Sequence, residues 1–484
     1  MPPTAVLGGH QAAAFAGMTT LAALSAAQAL SPTATVTPTT VFPDPSPALT
    51  ATEAAGETVS PTDGGQVTAT ATPTLAMMPV PPPGRTFYVD SVHGSDSNSG
   101  TSPGSPWETL AGVNNMTLGP GDTVNLARGS TWTGAGGDSA ALLVQGAGEA
   151  GYPITIQAYG TGPAPILRNP SSGPSRALRV LAPWVVVQGL LLRDATAAGI
   201  ALATGADHAV LRDNEAAYVG TGIVVDSQYD LIISNYVHDI TLSVNTPAGS
   251  YGDAVLLHAS NNEVSYNTFI DIKAPSLAYG VDGKVVEFYG TIDHTLIDHN
   301  YSDNSAGFDE VGGGAVTNVV VAYNVIVNPG PVEGFHFQGP FVATIGNYQF
   351  VSNTVVGLDG PYSVFFFDGE LADPAAFVVR NNIFYLQGFQ VLLQGTSPFT
   401  HDHNLYYFLG TPPQLNFPLA STEAIADPLF VDPAAGNYQL QAGSPAIGAG
   451  LAPPAFPTDF GGRPTAGSGG MLDLGAFEYT SQAK

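Results

Sequence analysis

Val320-Val321-Ala322-Tyr323-Asn324 is a short apolar run closed by an asparagine, and a second apolar run, Val325-Ile326-Val327, follows at once. The same unit recurs on both sides. Upstream it reads Val210-Leu211-Arg212-Asp213-Asn214, Leu231-Ile232-Ile233-Ser234-Asn235, Glu263-Val264-Ser265-Tyr266-Asn267 and Leu296-Ile297-Asp298-His299-Asn300. Downstream it reads Gln349-Phe350-Val351-Ser352-Asn353, Val378-Val379-Arg380-Asn381-Asn382 and Thr400-His401-Asp402-His403-Asn404. Val185-Val186-Val187-Gln188-Gly189 fits the frame with glycine in the asparagine place. The asparagines are 21, 32, 33, 24, 29, 29 and 22 residues apart. A period in the twenties with variable insertions marks a solenoid rather than a compact sandwich. The runs alternate apolar and polar residues and are rich in Val, Ile, Phe and Tyr, so they read as strands with one buried face. Coils of strand and turn alone, each about 4.8 Å from the next, build an all-β parallel β-helix. The asparagine then has a structural task in every coil. At a tight corner it tolerates a left-handed backbone, and its amide reaches the turn of the next coil.

Composition narrows what such a solenoid would meet. The chain has 484 residues, only 11% of them charged, with 57 Gly, 40 Pro and no Cys. The absence of cysteine excludes disulfides, thiolate metal sites and a cysteine nucleophile. A net charge of −27 repels nucleic acid and anionic membranes and keeps a long protein soluble. Residues 1–30 hold an uncharged Ala/Leu run from Gln11 to Leu30, with small Ala27 and Ala29 near its end, and read as an export signal or anchor lacking the usual basic start. Residues 31–84 are Thr, Pro, Ala and Ser with almost no apolar cluster, a composition that stays disordered and semi-extended. Such linkers typically stand outside the cytoplasm, so an extracellular or cell-surface location is expected. Residues 85–410 are assigned to the solenoid and 411–484 to a closing module.

Two flanking segments carry a family resemblance. At the start stand Phe87-Tyr88-Val89-Asp90-Ser91, Gly94-Ser95-Asp96, Asn98-Ser99-Gly100-Thr101, Pro106-Trp107-Glu108-Thr109-Leu110 and Pro120-Gly121-Asp122-Thr123-Val124. At the end stand Asp427-Pro428-Leu429-Phe430-Val431-Asp432-Pro433, Tyr438-Gln439-Leu440, Gly443-Ser444-Pro445-Ala446-Ile447 and Asp473-Leu474-Gly475-Ala476-Phe477-Glu478-Tyr479. These resemble the opening and closing segments of bacterial extracellular right-handed parallel β-helix proteins, the pectate-lyase-like superfamily. Gly448 stands where that family usually has an acidic residue. The resemblance implies a right-handed helix with caps at both ends and a carbohydrate partner, a polysaccharide or cell-wall glycan. It is a poor guide to chemistry, because the fold hosts many activities. On physical grounds both ends need covers, and Trp107 and Leu110 would plug the first coil while the closing segment folds over the last.

A solenoid usually works through a groove on one sheet. The strands after the asparagine corners are expected to start at Ile223, Val255, Val286, Phe308, Phe335, Phe365 and Val391, with alternate residues facing out. That register puts Glu287, Asp309 and His336 in one outward column, continued by Phe366. His258, Tyr289, Gln338 and Asp368 fall in the next. Glu310 lands on an inward position, where a lone carboxylate is costly, and Gly312-Gly313-Gly314 beside it suggests a bulge that turns it out. Glu287 with Asp309 or Glu310 would be a carboxylate pair about one strand spacing apart, roughly 5 Å, which suits a retaining glycosidase. Tyr289 and Phe366 would stack on sugar faces, and His258, Lys284, His336, Gln338 and Asp368 would bind hydroxyls. The insertions at 240–252, 272–283 and 328–334 would wall the groove.

Two other uses of the patch stand beside this one. No cofactor is required by the hydrolase reading. A calcium-assisted polysaccharide lyase would use Lys284 as base, with Asp253, Asp282, Asp303 and Asp309 supplying oxygen ligands. The third reading is a non-catalytic adhesin-like solenoid with a solvated acidic face. His401 and His403, alternate residues of the last strand, would share a face and form a candidate metal pair.

Overall fold

The computed structural model describes residues 84–137, 139–241, 252–277, 280–329, 335–337, 342–358, 363–367, 371, 373–387, 390–394, 399–410, 415, 417–451, 456–465 and 471–480. At 335–337, 342–343, 363, 366–367 and 390–394 the description is of backbone only. The chain divides into two units, Met1–Ala76 and Met77–Lys484, and the described residues belong to the second. The expected export segment and nearly all of the Thr/Pro-rich linker lie outside them.

The second unit is a right-handed parallel β-helix. Each complete coil lays down three strands in turn, one in each of three sheets. One coil is Thr221–Val225, Leu231–Ile233 and Tyr236–His238, and the next is Val255–Leu257, Glu263–Ser265 and Thr268–Ile270. Each strand pairs in parallel with its counterpart one coil on, as Leu231–Ile233 does with Glu263–Ser265. Asp309–Ala322 runs unbroken from the first sheet into the second and joins them into one sheet of 22 strands, while the third has 12. Inward residues at alternate positions, among them Ile232, Val264, Ile297, Val321, Phe350 and Val379, fill the cylinder.

The asparagines form a continuous ladder at the corner between the second and third sheets. Each backbone N–H and each Nδ2 donates to the Oδ1 of the next asparagine, at 2.8–3.2 Å, from Asn214 through Asn235, Asn267, Asn300, Asn324, Asn353 and Asn382 to Asn404. The last rung donates to Glu423 Oε1 at 2.8 Å. One detail of the sequence reading is corrected. The left-handed backbone sits on the residue before each asparagine, from Asp213 to His403, with φ between 51° and 59°. The asparagine itself turns inward, where its amide replaces the ladder hydrogen bonds that the corner interrupts. Gly189, φ 74°, therefore holds the left-handed position, and Leu190 occupies the first rung.

At the opening end, Leu110 and Val113 enter the core around the short helix Ala111–Asn114, and Trp107 stacks on Phe87 with centroids 5.4 Å apart. The closing segment does not simply fold over the last coil. It lies along the outer face of the third sheet. Phe430, Tyr438, Leu440, Leu474 and Ala476 pack on Val325, Val327, Val356, Ile383, Tyr385 and Leu405. Gly475 N–H donates to Asn381 O at 2.7 Å, and Ala476 N–H to Thr354 Oγ1 at 3.0 Å. The cause is written in the strands. Val325–Val327, Ile383–Leu386 and Leu405–Phe408 are apolar on both faces, so the outer face needs a cover.

Candidate active site

The register of the first sheet fixes which side chains share a column. Arg179, Ala201, Val224, Leu256, Glu287, Glu310, His336 and Phe366 are matched coil by coil. Glu310, not Asp309, is thus the neighbour of Glu287. Asp309 pairs with Val286 and faces inward, 3% exposed, where its carboxyl accepts from Tyr348 Oη. The slip has a local cause. Phe308 and Asp309 are both buried because Phe308 belongs to the corner, so the apolar pattern misplaces the strand start by one residue. Past Val311 the pairing skips Gly312 and resumes at Gly313 opposite Tyr289, the bulge that the glycines foreshadow.

Around Glu287 the first sheet gathers a compact charge cluster. Lys284 Nζ lies 3.1 Å from Glu310 Oε2 and 3.9 Å from Asp282 Oδ1. Lys284 is therefore an ion-pair partner of the Glu287 column, only 5% exposed. Its backbone N–H donates to Asp253 Oδ1 at 2.8 Å, and Asp253 is itself 2% exposed. Asp253, in the sequence only a potential calcium ligand, thus stands against Glu287. The signal was present: the pairing of Val255 with Val286 sets Asp253 beside Lys284. Burial pushes the Glu287 carboxyl well above its ordinary range, and the charges of Asp253 and Glu310 push the same way. Burial also raises Asp253, to about 6, while interaction with Glu287 and the Lys284 N–H holds it down. Burial and the neighbouring charges thus favour the protonated form of Glu287. Several carboxyls buried against one ammonium are expensive to fold around, and strained ionisations of this kind concentrate at functional sites.

The second column is more open. His258 Nδ1 is 2.6 Å from Asp226 Oδ1, and the His258 ring meets Tyr289 edge-on with centroids 6.2 Å apart. Tyr289 is 51% exposed, free to offer a ring face. Gln338 and Asp368 lie outside the described residues, as do the side chains of His336 and Phe366. Of the expected walls, Ala274–Ser276 and Gly280–Asp282 form an antiparallel hairpin, and most of the other two insertions lies outside the described residues.

The expected calcium ligands do not come together. Asp303 sits on the third sheet, paired with Ile270 and Val327, whereas Asp253 and Asp282 flank Lys284. His401 and His403 also separate. His401 Nδ1 meets Glu423 Oε2 at 2.8 Å, while His403 occupies the left-handed corner and meets Asp402 at 2.9 Å. Among the described residues, no three His, Asp or Glu side chains converge on a common cation position.

The inward Asp309 predicts a pH dependence. Burial, partly countered by Tyr348, raises its pKa from 3.8 to about 7. The folded state then holds a proton that the unfolded state releases near pH 4. The associated stability is complete below that pH and lost as pH rises through about 7. Asp309→Asn, which keeps an acceptor for Tyr348, should flatten the fall in unfolding midpoint between pH 5 and 8. The change amounts to at most about 4 kcal/mol. An unchanged slope would assign the dependence to other groups.

No family model matches the chain. Over 79 residues, 16% of its length, the chain is 47% identical to a lacto-N-biosidase of Bifidobacterium longum subsp. longum, and the match spans 5% of that protein. Among solved structures, pectate lyase Pel9A aligns with a TM-score of 0.53 at 16% identity, covering 82% of this chain and 97% of the other. An alginate lyase from Paenibacillus sp. str. FPU-7 gives 0.47 at 17% identity over 70% and 99% of the two chains. The GH136 lacto-N-biosidase from Eubacterium ramulus gives 0.42 at 15% over 71% and 67%. The likeness to Pel9A shows the β-helix fold, not the reaction.

Proposed function

We propose that this chain is a glycoside hydrolase that works outside the cytoplasm on a polysaccharide or cell-wall glycan, with Glu287 as proton donor and Glu310 as its carboxylate partner. One observation carries the reading: Glu287, whose surroundings favour its protonated form, stands in the next coil to Glu310, whose Oε2 lies 3.1 Å from the Lys284 ammonium. Their backbones are one strand spacing apart, about 4.8 Å, which suits retention of configuration. Glu310 attacks the anomeric carbon while the Glu287 proton passes to the departing oxygen. Glu287, now a carboxylate, takes a proton from water as that water cleaves the glycosyl ester. Tyr289 stacks on a sugar ring, and His258, steered by Asp226, binds a hydroxyl. Among the described residues no helix is long and apolar enough to cross a membrane.

A lyase reading would need Lys284 as a base. Its contact with Glu310 at 3.1 Å favours the ammonium form, which argues against that role. That ammonium also supplies the positive charge that a calcium ion would bring between these carboxylates. The full chain, incubated with neutral and acidic polysaccharides, should release reducing ends without added calcium and equally in chelator. Products with ultraviolet absorbance from a new double bond would establish the lyase instead, and absence of turnover on every glycan would leave the adhesin. Gly312 offers a finer check. A Cβ there would lie 2.6 Å from Glu287 Oε1. Gly312→Ala should therefore displace that carboxyl and cost roughly tenfold to a hundredfold in kcat, with little change in unfolding midpoint. Full activity in that variant would mean that Glu287 does not act from its observed position.

A further inference from the structure

Asp253 keeps one oxygen that needs a donor from inside the protein. Its Oδ1 accepts the Lys284 backbone N–H at 2.8 Å. Its Oδ2 is closed to solvent, and among the described residues no N–H or hydroxyl donates to it. A buried acceptor is rarely left empty. The carboxyl in hydrogen-bonding contact with Asp253 is that of Glu287. Two carboxylates repel and offer no donor, so such a contact holds only if one of them carries a proton that the other accepts.

Which carboxyl owns the proton follows from what else each one meets. The Lys284 N–H bonds the charged form of Asp253. Glu287 stands between two acids, Asp253 from the coil before and Glu310 from the coil after, with His336 next in the backbone column. The Lys284 ammonium lies 3.1 Å from Glu310 Oε2 and 3.9 Å from Asp282 Oδ1. These neighbours favour the acid form of Glu287 and the carboxylate form of Asp253. Access separates their roles. Glu287 is half-buried and Asp253 is 2% exposed, so a sugar oxygen can reach the first and not the second.

We propose that Asp253 is a positioning residue that shares one proton with Glu287 and governs it through both halves of the hydrolase reaction, the reading on which this inference rests. Before cleavage the Glu287 O–H donates to Asp253 Oδ2, which fixes the orientation of the acid and keeps it protonated. That proton passes to the departing glycosidic oxygen as the Glu310 carboxylate bonds the anomeric carbon. Two bare carboxylates then abut. Their repulsion makes Glu287 a stronger base, and it takes a proton from the water whose oxygen displaces Glu310 from the sugar. The shared proton is thereby restored. One neighbour thus holds the proton in place before the first half and speeds its recovery in the second.

Asp253→Asn in the full chain tests the proposal. The amide keeps an acceptor for the Lys284 N–H, turns an N–H toward Glu287 and removes the charge, so Glu287 should ionise at neutral pH. The alkaline limb of kcat/KM should move down by roughly one pH unit or more. On a nitrophenyl glycoside the variant should release about one equivalent of nitrophenol in a burst and then turn over roughly tenfold to a hundredfold more slowly than wild type, because only the base step is weakened. Infrared difference spectra read the proton without turnover. Wild type minus Glu287→Gln at neutral pH should show a protonated-carboxyl band, and the same difference taken in the Asp253→Asn background should lack it. A band that survives Asp253→Asn, or an unmoved limb with no burst, would overturn the proposal and leave Asp253 a packing residue. Absence of the band from the first difference would overturn it whether or not Asp253→Asn folds. Wild type inert on every glycan would instead sink the hydrolase reading, and the infrared result alone would then decide the shared proton.

Discussion

Glu287→Gln is expected to lower kcat/KM on a glycan substrate by roughly a hundredfold to ten-thousandfold, while the unfolding midpoint at neutral pH stays level or rises. The two halves of that result have one cause. Desolvation and the charges of Asp253 and Glu310 raise the half-buried Glu287 carboxyl well above its ordinary range, which favours its protonated form. Glutamine has the same shape, offers an N–H where the acid offered an O–H, and removes no charge that the fold relies on. It cannot hand a proton to a departing oxygen. The defect should shrink on a substrate whose leaving group departs without protonation, such as a nitrophenyl glycoside, because only the acid step is lost. Glu310→Gln should disable both substrates alike, since the carboxylate partner is needed for either. In wild type the activity should fall as pH rises through the elevated Glu287 pKa, and that limb should be missing in the glutamine variant. Natural glycan cleaved at the wild-type rate by Glu287→Gln would remove Glu287 from the chemistry.

The cluster also explains why part of the site was legible and part was not. Glu287 is readable because its strand, Val286–Tyr289, alternates without interruption and follows a standard corner. The sequence leaves the partner open between Asp309 and Glu310 because the fourteen-residue strand Asp309–Ala322 opens with a buried carboxyl. A pattern search treats Asp as outward, yet Tyr348, thirty-nine residues later, satisfies it inside the cylinder. Asp253 and Lys284 precede their strands by two residues, in corners where period-two reasoning no longer says which way a side chain points. The fold was legible at far greater range. Repeated asparagines state the coil, and a repeat supplies many independent readings of one geometry. Even there the corner conformation was off by one residue, because Asp213, Ser234, Tyr266 and His299 look unrelated in sequence while sharing one left-handed backbone. The path of the closing segment was readable in principle from Val325–Val327 and Ile383–Leu386, whose two apolar faces demand cover on both sides.

Asn324→Ala should destabilise the solenoid by about 3 kcal/mol or more, the largest loss expected from one residue outside the cluster. The Asn300 backbone N–H and Nδ2 both donate to Asn324 Oδ1, and Asn324 Nδ2 donates to Ile297 O and to Asn353 Oδ1. Alanine orphans the Asn300 N–H and the Ile297 carbonyl where water does not reach, and each costs about 1–3 kcal/mol. Because each coil touches only its neighbours, the damage should also weaken the coupling of the stack above Asn324 to the stack below. Urea unfolding followed by far-ultraviolet circular dichroism should then show a lower midpoint and a broader or two-step transition. The Asn300→Ala, Asn324→Ala double variant separates a ladder from a row of independent amides. Its second substitution removes a side chain that the first has already stripped of a partner. The combined loss should therefore fall short of the sum of the single losses by about 1 kcal/mol or more. Strictly additive losses would mean that each rung is held by its own coil, and the continuity of the ladder would then contribute nothing to stability.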